Sequence, residues 1–429
     1  MECLAIFPPR PFFYPLVGSN PVKRLFFAIP QHYDYPDSFW GRESALIVRS
    51  LREMGYEAFL VPLNPKIASD ISPDPARPVI TCTLDQMSDP AWWVSLNPDA
   101  IVLNLWSATR YDAIRKAALK ATPRVIERLD ASGVRIPRIW PLYYFIQTWG
   151  ALRDSGWNAG IAFFPALLRS LLFYYVPSVL ERPMALTMAQ LPYVVAESPL
   201  AAARVERHIR WHSQSVIQVA QISNPVYTED MNYAAGEAKT NALVAVGRWN
   251  SYQKDFPLLI GTAIEFLRKY PDWTFDVVGQ GVDGFQKLLA LAPPEVLKRI
   301  HVHGCLSYSQ IGEINRRAKI HFTVARWEGF ANASVEALCC GCSYVGPINI
   351  AASSYLIENQ SGTIAPRRCQ SDLLDALCAE VEAWKAGRRN PATIAEKWIA
   401  ESGYTQVARR TLALLESIPG RASSPSSQL

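Results

Sequence analysis

Two long stretches of this chain alternate short apolar runs with helical patterns of about 10–15 residues, a period few folds accommodate. The first begins at Lys23. Leu25–Ile29 is an apolar run, and Trp40–Met54 sets Ala45, Leu46, Val48, Leu51 and Met54 at helical spacing before stopping at Gly55. Glu57–Leu63, Asp99–Trp106 and Arg124–Leu129 read as strands, with Val79–Cys82 a shorter candidate and Tyr111–Ala121 a helix. After a break, Tyr193–Glu197, a helix over Ala201–Arg210 and Val216–Val219 resume the pattern. The second stretch runs through the strands Ala242–Val246, Thr274–Val278, Ile300–His303, Ile320–Val324, Ser343–Gly346 and Gly362–Ile364. Helices over Pro257–Lys269, Gly284–Leu291, Tyr308–Ala318, Asn332–Cys340 and Ser371–Ala386 separate them. Near-continuous apolar strands divided by helices predict parallel sheets covered on both faces.

The chain has 429 residues, enough for two such units. The expected division is an N-terminal Rossmann-like domain over 1–226, a linker over 227–240 and a C-terminal Rossmann-like domain over 241–395. Helices follow over 396–418, and a Ser/Pro tail over 419–429 is expected to be disordered. Two doubly wound units on one linker leave a cleft, where the carboxyl ends of open parallel sheets bind ligands.

An insertion at about 134–192 interrupts the first unit. It is dense in aromatics and prolines, and Phe163–Val176 is apolar nearly all round. Its arginines, Arg135, Arg138, Arg153, Arg169 and Arg182, outnumber its acids. Two readings stand side by side. One is an interfacial helix on an anionic membrane, the other a helical insertion buried against its own domain. A spanning helix is disfavoured, because Arg169 lies near the middle of Ile161–Leu180 and Pro165 and Pro177 interrupt it.

Charge and cysteine exclude other classes. A net charge of +5 is too mild to imply nucleic acid, although 110–210 alone carries 14 Lys/Arg against 7 Asp/Glu. The eight cysteines follow no disulfide or zinc spacing, and Cys339, Cys340 and Cys342 crowd into one apolar run. A reducing, cytoplasmic setting is expected, with no metal and no cofactor. The first 21 residues lack a basic start and are broken by prolines, so they do not read as a secretory signal.

Two loops carry the chemistry. Gly247-Arg248 directly follows the strand Ala242–Val246, and Lys254 comes six residues later. Two cations at a sheet's carboxyl edge suit a diphosphate, though alone this is an ordinary solvated loop. The other loop follows Ile320–Val324. It places Glu328 at the strand end, Gly329 where backbone can approach a ligand, and the amides of Ala331–Ser334 at a helix N-terminus, an anion site. Glu336 lies on that helix. Two carboxylates flanking an anion nest suit a sugar nucleotide, one on sugar hydroxyls and one on the ribose.

Glu328-Gly329-Phe330 followed by Glu336-Ala337 resembles the E-x7-E motif of retaining GT-B glycosyltransferases of family 4. Gly247-Arg248 with Lys254 is similar to that family's diphosphate-binding pair. Val278-Gly279-Gln280-Gly281, His303-Gly304, Gly341 and Ser361-Gly362 follow in the family's order. The likeness covers about Ala242–Ala386, and the N-terminal half agrees in pattern only. It implies a GT-B fold and retaining transfer of a sugar from a nucleotide-diphosphate donor to a glycan or lipid-linked acceptor, without a metal. It also implies Glu328, Arg248 and Lys254 as catalytic residues, and Glu336, Gly247, Gly329, Phe330, Ala331, Asn332 and Gly279 as donor-binding. A non-catalytic GT-B scaffold and a GT-B epimerase are the alternatives. His32 is the one histidine at an expected cleft edge, and the loop after Trp106 offers none.

Overall fold

The computed structural model describes residues 21–29, 43–63, 78–105, 111–129, 145, 149, 152, 158–214, 217–234, 236–281, 288–290, 292–348 and 361–420. His32, Gly41, Arg42, most of the expected helix over 284–291 and the tail from 421 lie outside them.

The first sheet is built from β1 (Arg24–Ile29), β2 (Glu57–Pro62), β3 (Ala100–Leu103), β4 (Val125–Arg128), β5 (Tyr193–Ala196) and β6 (Gln218–Gln221), in the order β2-β1-β3-β4-β5-β6. Every pairing is parallel. Its main helices are α1 (Glu43–Glu53), α2 (Asp112–Ala121), α3 (Ala159–Tyr175), α4 (Pro177–Met188) and α5 (Pro199–Ser213). The candidate strand at 79–82 contributes only two isolated parallel bridges beyond β2, Leu60 to Val79 and Leu63 to Cys82.

The second sheet contains β7 (Thr240–Val246), β8 (Thr274–Val278), β9 (Ile300–His303), β10 (Ala318–Phe322), β11 (Ser343–Pro347) and β12 (Gly362–Ala365). The order is β12-β11-β10-β7-β8-β9, again all parallel. Its main described helices are α6 (Phe256–Lys269), α7 (Tyr308–Arg317), α8 (Asn332–Cys339) and α9 (Gln370–Lys385), followed by α10 (Pro391–Ser402) and α11 (Tyr404–Ser417).

The inner strands of each sheet are buried on both faces, which is why most of them read as apolar runs, whereas the edge strands β6 and β9 are partly exposed. On β1, Phe26 and Ala28 face one core with Trp93, Ile101 and Leu103. Leu25, Phe27 and Ile29 face another with Leu60 and Val102. That second core takes Val407, Ala408, Leu412 and Leu415 from α11, so the end of the chain packs on the first sheet beside α1. The return is fixed by backbone: Val226 N–H donates to Ser402 O at 2.7 Å, and Tyr404 N–H to Val226 O at 3.0 Å. Arg49 seals the junction, stacking 4.8 Å over Tyr227 and pairing with Glu229 at 3.1 Å. The segment expected to be a linker is therefore anchored, with Met231 fully buried in the second sheet's core.

From residue 158 on, the described part of the insertion forms two different helices. Ala185 and Met188 of α4 join the core under the sheet, so α4 is the regular crossover from β4 to β5. α3 precedes it as an extra layer. Asn158 caps α3 by accepting from Gly160 N–H at 3.0 Å, and Pro177 opens α4.

Candidate functional site

In the second sheet β7 is flanked by β8 on one side and β10 on the other. The chain leaves β7 and β10 at the point where strand order reverses, and loops there diverge to leave a crevice. The loop after β7 carries Gly247, Arg248 and Lys254, and the loop after β10 carries Arg326 to Ala331. The two cation and carboxylate loops of the sequence are thus neighbours at the switch point.

The β7 loop is held against the sheet by glycine. Gly279 follows β8 at φ +129°, and a Cβ there would lie 1.9 Å from Gly247 O. Close approach lets Gly247 N–H donate to Val278 O at 3.0 Å and Trp249 N–H to Gln280 O at 2.8 Å. Gly279 thus supports the loop that presents Arg248. The Arg248 side chain is exposed and makes no ion pair among the described residues.

Lys254 ends a single 3-10 turn, Tyr252–Lys254, capped by Ser251. Its Nζ donates to Glu328 Oε1, and both side chains are largely buried. Around this pair the two loops interlock. Gln253 Nε2 donates to Trp327 O at 2.7 Å, and Arg326 N–H to Gln253 O at 2.8 Å. The Arg326 guanidinium lies 4.1 Å over the Tyr252 ring and pairs with Asp255 at 2.7 Å. Asp255 also accepts from Arg368. The clamp explains how Asp255 is held at φ +45°, left-handed backbone that disfavours a side chain.

Ala331 is the second left-handed residue, at φ +64°, immediately before α8. It supplies no side-chain cap, so the first amides of α8, at Asn332 and Ala333, point free of one into the crevice end of the helix. Uncapped amides and the helix dipole favour an anion there. Strained backbone at such a position is a mark of sites built for a ligand. Phe330 and Ala331 turn their side chains into the core with Val335 and Tyr344, leaving their backbone to the crevice. Glu336, one turn into α8, accepts from Tyr308 Oη at 2.9 Å, a contact the sequence does not reveal.

Two buried polar groups underlie the pair. His321 on β10 and Tyr344 on β11 are register neighbours, and their Nδ1 and Oη are buried without a hydrogen-bond partner among the described residues. Burial first, and the Lys254 charge second, hold the His321 imidazole down to about 3. Burial first, and the Glu328 charge second, push the Tyr344 phenol far up. Both are therefore neutral at ordinary pH, and the formal charges nearest to them are those of Lys254 and Glu328.

The first sheet reaches this site through Asn224. Its Nδ2 donates to Asn332 Oδ1 at 3.1 Å and to Glu197 Oε1 at 2.5 Å. Glu197 lies just past β5 and is buried. The N-terminal unit therefore touches α8 at its first residue.

Residues 240–382 match the family described as Glycosyl transferases group 1, a span that contains the β7 and β10 loops and α8. The whole chain is similar in structure to sucrose-phosphate synthase from Thermosynechococcus elongatus at TM-score 0.62 and 13% identity, covering 91% of this chain and 98% of that one. It is similar to Anabaena HepE in complex with UDP at TM-score 0.60 and 13% identity, covering 92% and 100%. A trehalose 6-phosphate synthase from Burkholderia multivorans gives TM-score 0.61 at 12% identity, covering 92% and 99%. The fold is GT-B. At these identities the likeness is one of architecture, and no curated protein matches in sequence. The candidate residues named from the sequence gather on the second sheet, and among the described residues the first contributes Asn224 and Glu197 to the site.

Proposed function

We propose that the protein transfers a sugar from a nucleotide-diphosphate sugar to a glycan or lipid-linked glycan acceptor, with retention of anomeric configuration. The observation that carries the reading is the Lys254–Glu328 pair at the β7/β10 switch point, beside the uncapped start of α8 and within the group 1 match. Solved complexes of HepE with UDP and with UDP-glucose favour a uridine diphosphate sugar as the first donor to try.

The roles follow from charge. Breaking the bond between the anomeric carbon and the diphosphate leaves negative charge on phosphate oxygens. Arg248, Lys254 and the Asn332 and Ala333 amides meet it, preorganised in a partly dry crevice. Because these groups are part of the protein, a metal ion is not required. Glu328 holds sugar hydroxyls and Glu336 the ribose. Gly247, Gly329 and the backbone of Phe330 and Ala331 line the donor's path, with Gly279 behind them. The acceptor enters from the first sheet.

The test is a panel of nucleotide sugars in thermal melts, followed by product analysis with and without acceptor. A donor at 100 times its dissociation constant stabilises by about 2.7 kcal/mol. Acceptor-dependent product of unchanged anomeric configuration, formed equally in chelator, is the expected result. Product without acceptor would make the protein an epimerase, and binding without turnover a scaffold.

A further inference from the structure

Outside the crevice, the feature least explained by a soluble fold is α3. Its small residues Ala162, Ala166 and Ser170, four apart, are buried against the body. Its large residues face the other way: Ile161, Phe164, Leu168, Leu171 and Tyr175 recur on one helical stripe and are exposed, Phe164 at 73%, Leu168 at 60% and Tyr175 at 70%. A helix facing water carries the opposite pattern. Soluble surfaces seldom leave a continuous apolar stripe of this kind uncovered unless something binds it.

We propose that this stripe docks the protein on an anionic lipid surface, α3 lying flat in the headgroup region. Depth comes first. One face of α3 is committed to protein, Pro165 and Arg169 lie within it, and among the described residues no helix is long and apolar enough to cross a membrane. Only half of the helix is left to meet lipid, which is interfacial geometry.

Charge selects the partner. α3 has no acidic residue, and 134–192 carries five Arg against two acids. Arg182 on α4 is exposed. α5 packs on α4 and adds Arg204, Arg207 and Arg210 with only Glu206 among them. Arg204 and Arg207 stand near enough to repel each other. Trp211, on the same helix, is 81% exposed, a residue type at home at a lipid–water boundary. Anionic headgroups neutralise such a set, whereas a second copy of this chain would bring like charges together.

The topology also orients the site. α4 runs back to the start of β5, so its N-terminus, and with it the Tyr175 end of α3, lies on the carboxyl-edge side of the first sheet. That is the side from which Glu197 and Asn224 reach the crevice. Docking through α3 therefore sets the Tyr175 end of the docked helix on the same side of the first sheet as the crevice. The docking itself does not depend on the transfer reaction.

The experiment is flotation of the full chain with vesicles of equal parts phosphatidylglycerol and phosphatidylcholine, against phosphatidylcholine alone. Wild type should co-float with the anionic vesicles at low salt, lose most of that binding at high salt, and stay behind with the neutral ones. Phe164→Ser with Leu168→Ser should lower the anionic partition at least about tenfold. Both side chains are exposed, so the melting temperature should not move; Ile161→Ser with Tyr175→Ser repeats the test on the same stripe. Absence of wild-type flotation, equal flotation of both double variants, or equal binding to neutral vesicles overturns the proposal. A dimer that these substitutions dissolve, without vesicle binding, overturns it in favour of self-association.

Discussion

Lys254 and Glu328 are 74 residues apart in sequence, and Lys254 Nζ donates to Glu328 Oε1 across the mouth of the β7/β10 crevice. In this structure the cation and the carboxylate neutralise each other. Under the proposed function, a donor's diphosphate competes for Lys254, and its sugar hydroxyls then offer Glu328 replacement donors. The pair thus keeps both groups oriented and solvated by protein until the ligand takes over.

Substitution should reveal that coupling. Lys254→Ala leaves a largely buried carboxylate without its cation, costing about 1–3 kcal/mol in urea unfolding as well as lowering turnover by on the order of 10²–10³. Arg248→Ala should lower turnover comparably with no change in stability, since Arg248 is exposed. Adding Glu328→Gln to Lys254→Ala should restore part of the lost stability but none of the activity, a double-mutant cycle with a coupling of about 1 kcal/mol or more. Additive stabilities would mean that the pair contributes nothing as a pair.

The second carboxylate has its own support. Tyr308 Oη donates to Glu336 Oε1 at 2.9 Å and holds the carboxylate for which a ribose role is proposed. Glu336→Gln should weaken nucleoside diphosphate binding by the equivalent of about 1.5–3 kcal/mol, the worth of a charge-assisted hydrogen bond. Tyr308→Phe should weaken it less, by about 1 kcal/mol, and leave turnover at saturating donor unchanged. Calorimetry with the free diphosphate reads both. Unaltered affinity in Glu336→Gln removes the ribose role.

What the sequence makes legible here, and what it hides, divides along physical lines. β7 and β10 announce themselves because both faces of each strand are buried, which makes composition alone sufficient. Their ends are less clear: the expected strand at Ile320–Val324 is β10 at Ala318–Phe322, because β7 pairs with Ala318 and so decides where the ladder begins. Glu328 and Glu336 could be singled out from spacing within one strand–loop–helix unit. Lys254 to Glu328, Tyr308 to Glu336 and Asn224 to Asn332 could not be, since each joins residues far apart in the chain. α3 hid its orientation because alanine and leucine both count as apolar. Only the difference in size between Ala162 or Ala166 and Phe164 or Leu168 tells the inner face from the outer.

The glycine behind the β7 loop offers a test of position alone. In Gly279→Ala the new Cβ would collide with Gly247 O and sit at a φ of +129° that alanine resists. The loop must move to accept it, carrying Arg248 with it. Displacements near 1 Å at reacting groups can cost on the order of 10²-fold in rate. Turnover should fall by about that factor while the protein stays folded by circular dichroism. Wild-type activity would show that the loop's register against β8 is immaterial to the chemistry.

The buried imidazole predicts a pH signature that a surface histidine would not give. His321 has a folded value held at about 3 against 6.5 for a free histidine, because burial and the Lys254 charge both oppose protonation. The unfolded chain therefore takes up a proton between those two values and the folded chain does not. Stability from this source is complete above about 6.5 and is lost as pH falls toward 3, with a limiting slope of about 1.4 kcal/mol per pH unit. Between pH 7 and about pH 5 wild type should lose roughly 2 kcal/mol through His321. His321→Gln retains a polar group on the same face of β10 but cannot titrate, so its urea midpoint should be flatter across that interval even if it starts lower. Parallel pH profiles for the two proteins would place the acid sensitivity elsewhere and show that His321 is reached by water before the fold opens.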